Sequence, residues 1–445
     1  MATLAERAAD GRERRIATPP DSFAAWTPAS DRGPALDILT AGDVDRIPEL
    51  VPIRYGRMVQ SSFAFLRGSA AVMAADLAAA PVTGLRVQLC GDAHLLNFGG
   101  FATPERNLVF DVNDFDETLP GPFEWDVARL TASVAVAARW LGADESTAAR
   151  SARRTVKTYC RTMAAYAEQT VLEVWYAQID AAEVAATMRH IPPEAMTKLA
   201  HKARSHTSAK LLPRLADLTA EGGRIRHQPP LVMSLPRDSY GTALDELLTT
   251  YRHSLRDAVV GLVNRLQVAD VAHKVVGVGS VGTRCLIVLL FGRDHSEPVF
   301  LQIKEAKESV LAPYVGASAY DHHGRRVVEG QRAIQAASDV FLGWATGDGR
   351  HGYVRQLRDM KLSADLTRLD HPSFDDYARL CGRTLARAHA RTGDPVAIAA
   401  YLGDGDAFAH AMASFALRYA DVTQEDHTAL DGAVADGTVV ADRDH

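Results

Sequence analysis

The stretch GDAHLLNFGG, residues 91–100, brings Asp92, His94 and Asn97 into one short loop, and FDVNDFDET follows with Asp111, Asp114 and Asp116. An Asp that orients a hydroxyl and accepts its proton, placed shortly before an Asn whose carbonyl oxygen ligates magnesium, is the spacing a phosphoryl-transfer loop needs. A further acid must reach the same ion from a neighbouring strand end. Asp111, Asp114 and Asp116 are the candidates to join Asn97 as metal ligands, and spacing alone does not choose among them. Clustered carboxylates repel one another unless a cation neutralises them, and hard oxygen ligands predict Mg²⁺. Turn formation explains one or two of these residues but not the whole cluster.

A second group lies about 180 residues further on. GVGSVG sets Gly277, Gly279 and Gly282 in the G-x-G-x-x-G spacing, with Ser280 between them. A dinucleotide-binding turn requires a helix directly after the glycines, whereas RCLIVLLFG reads as a strand. Strand, loop and strand together predict a phosphate-covering hairpin, in which glycines let the backbone approach a nucleotide. The next strand, VFLQIKEA, carries Lys304 among apolar neighbours, and a lysine on a covered sheet face must find an anion. Lysine is scarce here, eight against 41 arginines, so a point-charge ammonium at this place suits nucleotide phosphates. Glu329, in the helix that follows, is the expected ion-pair partner of Lys304. The plainer alternative is a structural hairpin with an edge lysine.

The elements that must position these groups fall into thirds. Residues 1–50, rich in Pro, Asp, Arg and Ala, read as an N-terminal arm, with MATLAERAADGRERRIATPP expected to be poorly ordered and DSFAAWTPASDRGPALDIL as its docking segment. Residues 51–268 read as a large helical part carrying the loops just described, with strands at LRVQLC and NLVFDV and a helix capped at Asp144 or Ser146. Residues 269–362 are rich in β-branched and aromatic residues and predict a small antiparallel sheet, with later strands at DVFLGWA and HGYVRQLRDMK. Residues 363–430 return to helix, and 431–445 read as a polar tail. The helical region from about 130 to 265 is expected to build the acceptor side of a cleft.

Composition narrows the classes. With 47% hydrophobic and 23% charged residues and a net charge of −6, the chain reads as an ordinary soluble protein whose main partner is not nucleic acid. The basic stretch KLAHKARSHTSAK, 198–210, reads as a solvated helix face. No run is long and apolar enough for a membrane span, and the N-terminus lacks the apolar core of a secretory signal. The four cysteines show no paired spacing, which fits a reducing cytoplasm.

GDAHLLNFG followed by FDVNDFDETLPGPFEWDVARL resembles the catalytic and metal-binding segments of the protein-kinase-like fold, closest to its aminoglycoside and choline phosphotransferase branch. The resemblance implies a two-lobed α+β fold with a small antiparallel β-sheet lobe and a large helical lobe. It makes Asp92 the catalytic Asp, Asn97 and Asp114 the metal ligands, and Asp126 the buried acid bracing the catalytic loop, with His94 as structural support. Lys304, the glycine loop and Glu329 resemble the nucleotide-holding elements. The order of the two halves is reversed relative to kinases, which implies circular permutation, and CGRTLARAHARTGD resembles the helix that normally precedes the catalytic loop. SSFAFLRG, CGDAHLLNFG, NDFDETLPGPFEWD, QIKEA, VVEGQR and YVRQLRDMK resemble, over residues 50 to 425, the bacterial domain of unknown function 2252 family.

The expected activity is an ATP- and Mg²⁺-dependent phosphotransferase acting on a hydroxyl of a small molecule. Phosphorylation of a protein or transfer of AMP on the same fold, a non-catalytic nucleotide-binding protein, and a metallophosphoesterase are the alternatives. The acceptor and the oligomeric state are not legible in the sequence.

Overall fold

The computed structural model describes residues 2–205, 207–219, 222–357 and 360–445, and the side chains of 237–243 are outside that description. The fold is mixed α+β, as expected, with helices dominating and the strands gathered in small antiparallel sheets.

Four long helices, Phe123–Trp140, Glu145–Ala167, His371–Thr392 and Asp406–Ala435, pack around one apolar cluster that includes Phe123, Leu130, Tyr159, Leu385, Phe408 and Phe415. The first of them, FEWDVARLTASVAVAARW, lacks a polar face and is buried from Phe123 through Ala138. A helix apolar on all sides must be a core helix. Asp144 caps the second helix by accepting the Thr147 N–H at 2.8 Å, which decides between the two expected caps. Asp370 does the same for the third through Ser373.

Glu124 is the costly residue of the core helix. It is buried in the first turn, where its carboxyl meets the Thr83 N–H at 2.6 Å and the Thr83 hydroxyl at 3.1 Å. Burial outweighs these bonds and pushes its pKa up to about 7. The folded chain therefore holds this proton more tightly than the unfolded one. The stability it contributes is fully present below the unfolded value near 4.5 and is lost as pH rises through 7. Glu124→Gln is expected to match the parent protein in urea melts at pH 5 and to exceed it at pH 8.5 by as much as about 3 kcal/mol. An equal difference at both pH values would contradict this origin.

The largest sheet has six antiparallel strands in the order Gly343–Gly347, Arg350–Gln356, Pro298–Glu305, Cys285–Phe291, Gln267–Lys274 and Val232–Ser234. Alternation gives it two apolar faces. Val288, Leu290, Leu301, Ile303 and Val354 meet Leu244, Tyr251 and Val263 on one side. On the other, Ile287, Leu289 and Phe300 meet Leu211, Ala216 and Ile225. Segments from Leu211 to Val263 thus cover the sheet rather than build an acceptor wall, because two apolar faces outbid a solvated cleft for their side chains. Of the expected strand HGYVRQLRDMK, Arg358 and Asp359 lie outside the described residues, as does His206 of the basic stretch.

A four-stranded sheet, ordered Leu362–Ser363, Phe98–Ala102, Leu108–Val112 and Ile179–Asp180, carries the loop of Asp92 into the helical body. Its strand Phe98–Ala102 was not expected. Gly99 makes the pairing possible, since a Cβ there would stand 2.4 Å from the Leu362 carbonyl oxygen.

Both chain ends depart from expectation. Leu4–Ala17 is a helix with a complete Thr3/Glu6 capping box, and it docks on Pro395–Leu402 through the ion pair Arg7–Asp394 at 2.6 Å. The start of the arm, expected to be poorly ordered, is therefore packed structure. The tail docks as well: the Asp442 N–H donates to the Pro52 carbonyl at 2.8 Å, and Val439 is buried. Among the described residues, no helix is long and apolar enough to cross a membrane, and all four cysteines are free and buried.

Candidate active site

The loop of Asp92 is fixed from below and from within. Asp126, in the first turn of the core helix, accepts the backbone N–H groups of Cys90 at 2.8 Å and Gly91 at 3.0 Å, and His389 Nε2 stands 3.3 Å from it. Gly91 has φ +85°, and a Cβ there would lie 2.4 Å from the Glu117 carbonyl oxygen. Only glycine fits. His94 accepts the Leu96 N–H through Nδ1 at 3.2 Å. Burial lowers its pKa to about 4, so its imidazole is neutral and structural. Asn97 donates its amide nitrogen to the Asp92 carbonyl at 2.7 Å, which leaves its side-chain oxygen for another partner. The Asp92 carboxylate receives Arg129 Nε at 2.8 Å, with His94 Nε2 at 3.8 Å.

The acids of FDVNDFDET separate into different roles. Asp111 is not part of the site: Arg387, fully buried, bonds both of its oxygens at 2.6 and 2.7 Å, and the Val112 and Ala336 N–H groups complete its shell. Asp114 faces the cleft, and its Oδ1 is buried without a hydrogen bond, 3.6 Å from Lys304 Nζ. Burial raises its carboxyl, but Lys304, Arg355 and Lys361 outweigh that and hold it well below the usual range. Asp116 gives one oxygen to Lys304 at 2.5 Å and the other to the Tyr353 hydroxyl at 2.7 Å. Each of its oxygens thus already accepts a hydrogen bond, and the acid expected as a metal ligand is also the ion-pair partner of Lys304. The expectation for Glu329 is corrected. Its ion pair is with Arg332 on its own helix at 3.2 Å, while the ion pairs of Lys304 are with Asp114 and Asp116.

Register explains the position of Lys304. It pairs with Cys285 on one side and Tyr353 on the other, so these three share one sheet face with Gln302 and Arg355. Arg355 reaches from that face to the Asn113 carbonyl at 3.1 Å. Burial lowers the ammonium of Lys304, but Asp114 and Asp116 outweigh it and hold the pKa well above its ordinary value. Lys304 is therefore charged.

The glycine loop is anchored by two arginines from the N-terminal region, Arg57 in the helix Val51–Met58 and Arg46 in the segment before it. Arg57 donates to the Gly277 carbonyl at 2.6 Å, and Arg46 donates to those of Gly279 and Val281 at 2.8 and 2.5 Å. Gly277 and Gly282 have φ of +68° and +87°, a turn that other residues resist. Ser280 Oγ reaches Asp116 at 3.4 Å. Gly282 rests against the Arg46 side chain, behind the loop.

Asp92, His94, Asn97, Asp114, Asp116, Gly277, Gly279 and Ser280 line one cavity of about 640 Å³, with Lys304 behind Asp116. Residues distant in sequence thus share one cleft. Glu117 lines it too, its pKa raised to about 6 by burial. Among the described residues, no three His, Cys, Asp or Glu side chains form a metal-holding group. Asn97 and Asp114 together make the sparse donor set that suits Mg²⁺ when phosphates and water complete its shell, and the unbonded Asp114 oxygen fits that use.

Sequence reasoning missed Arg129, Tyr353, Arg355, Arg46 and Arg57. Each acts across a tertiary contact. The one available signal was a charged residue inside an otherwise apolar helix or strand, as with Arg129 in FEWDVARL.

Comparison with known proteins places the chain in sequence space. The profile of a bacterial family, described as "Uncharacterized protein conserved in bacteria (DUF2252)", matches residues 46–433. No curated protein and no solved structure matches the chain.

Proposed function

The chain belongs to that bacterial family, and from the chemistry of its cleft we propose an ATP- and Mg²⁺-dependent phosphotransferase that phosphorylates a hydroxyl of a small molecule. One observation carries the reading. A buried, charged lysine is held by Asp116 and Asp114, and these two acids line one cavity together with Asp92, Asn97 and the Gly277, Gly279 and Ser280 of the glycine loop. An antiparallel sheet bearing Lys304, set beside a helical body bearing Asp92, supports a circularly permuted protein-kinase-like fold.

In this reading Asp92 orients the acceptor hydroxyl and takes its proton, and Arg129 holds the Asp92 carboxylate in place. Lys304 sets a fixed positive charge beside the phosphates, kept in position by Asp116 and Tyr353. The glycine loop admits the nucleotide close to the backbone. Asn97 and Asp114 are the residues that would hold magnesium, which neutralises phosphate charge when bound. Asp126 keeps the Asp92 loop from relaxing.

Mg·ATP at about 100 times its Kd is expected to stabilise the protein by about 2.7 kcal/mol, read as a rise in melting temperature. Asp114→Ala should lose most of that rise while keeping the fold. A parent protein whose melting temperature ignores Mg·ATP at millimolar concentration would end the proposal.

A further inference from the structure

Four arginines, Arg46, Arg54, Arg67 and Arg350, line the cavity, and three have partners. Arg46 is bound to carbonyls of the glycine loop, Arg54 to Asp43 at 2.9 Å and Arg350 to Glu305 at 3.0 Å. Arg67, on the short helix Ser62–Gly68, is different. It lines the cavity, its Nε is buried without a partner, and it forms no hydrogen bond or ion pair with any described residue.

A largely buried guanidinium that the protein leaves unmatched is costly unless a ligand supplies the anion. The carboxylate acting on Arg67 is Asp92, at some remove, and burial still lowers its pKa. Asp114 and Asp116 act on Lys304 instead. The two cations are placed differently: Lys304 stands behind Asp116 and the metal-side acids, whereas Arg67 lines the cavity itself, with Asp92 as the carboxylate acting on it and its backbone carbonyl beside Gly279. A planar guanidinium suits a carboxylate or a phosphate monoester, which it can grip with two parallel hydrogen bonds.

We infer that the acceptor carries an anionic group, a carboxylate or phosphate beside the hydroxyl that is phosphorylated, and that Arg67 binds it. This rests on the phosphotransferase reading for the identity of the Asp92 end, and it names the substrate class that reading left open. Arg67 is a specificity-determining residue here, and Asp92 remains the group at the reacting hydroxyl.

The test separates the two claims. Calorimetry first measures a non-hydrolysable Mg·ATP analogue, then titrates inorganic sulfate into the analogue-saturated protein. The parent protein is expected to bind both. Arg67→Ala should keep analogue affinity within about twofold and lose sulfate affinity by about tenfold or more, the loss of a charge-assisted hydrogen-bonded contact, with Arg67→Lys in between. Sulfate that does not bind, or that binds Arg67→Ala equally well, overturns the inference and leaves the phosphotransferase reading intact. Loss of analogue affinity in Arg67→Ala also overturns it, by assigning Arg67 to the nucleotide. A parent protein that ignores the analogue overturns the phosphotransferase reading and the acceptor assignment with it. Melting curves of both variants verify that each is folded.

Discussion

Asp92→Asn is expected to lower turnover of γ-labelled ATP by about 10²–10⁴-fold while leaving Mg·ATP affinity nearly unchanged. The amide preserves the size of the side chain, and the Asn97 bond to the residue 92 carbonyl is a backbone contact that survives the change. What is lost is the ability to take a proton from the acceptor, or from water when water is the acceptor. Arg129 Nε, 2.8 Å from the carboxylate, loses its charged partner as well. A modest fall in melting temperature should accompany the loss of activity. Initial-rate assays beside calorimetric titration with Mg·ATP check the split. Unchanged turnover in a variant that still binds Mg·ATP would remove Asp92 from the chemistry.

Lys304→Met has the other large effect, and it acts on stability and binding together. Without the ammonium, Asp114 and Asp116 face each other as like charges at the base of the cleft. Breaking a buried pair costs about 3–5 kcal/mol. The low end, about 3 kcal/mol, applies here because the two carboxylates keep 32% and 28% of their side-chain exposure. The double variant Lys304→Met, Asp116→Asn removes one of the stranded charges and should regain much of the lost stability in urea melts, since the Tyr353 hydroxyl can still donate to the amide oxygen. Nucleotide affinity should not return with it, because the charge that met the phosphates is gone. Recovery of both together would reduce Lys304 to a structural ion pair.

Which parts of this were legible in the sequence follows from how far each interaction reaches along the chain. The Asp92–Asn97 bond spans five residues and is local, so spacing alone found the loop. Lys304 stood out because an ammonium inside an apolar strand has few explanations. Its partner did not, since Asp116 lies 188 residues away and nothing local distinguishes it from Glu329 on the adjoining helix. Asp111, Asp114 and Asp116 look alike as letters. They part only when Arg387 arrives from another helix to bind the first and Lys304 from a sheet to bind the last.

The failure at the N-terminus was of another kind. Thr3 and Glu6 form a capping box that is written in the sequence as T-x-x-E, but arginine- and alanine-rich composition hid the helix behind it. Gly11 on that helix packs so close to the Ala397 carbonyl that a Cβ would overlap it, a contact that no window on the first fifty residues contains. The cover of the sheet by Leu211, Ala216 and Ile225 on one face and Leu244, Tyr251 and Val263 on the other was missed for the same reason: an amphipathic pattern states that a face is buried, not against what.

The arginine anchors of the glycine loop have a thermodynamic consequence. A glycine-rich hairpin left free would have to be ordered when its ligand arrives, at about 1–2 kcal/mol for each residue fixed. In this chain Arg46 and Arg57 have already fixed the carbonyls of Gly277, Gly279 and Val281 during folding. The entropy is lost during folding, and order in the loop becomes a property of two arginines more than 200 residues upstream. In that sense Arg46 and Arg57 are the preorganising half of a hairpin whose visible half is GVGSVG.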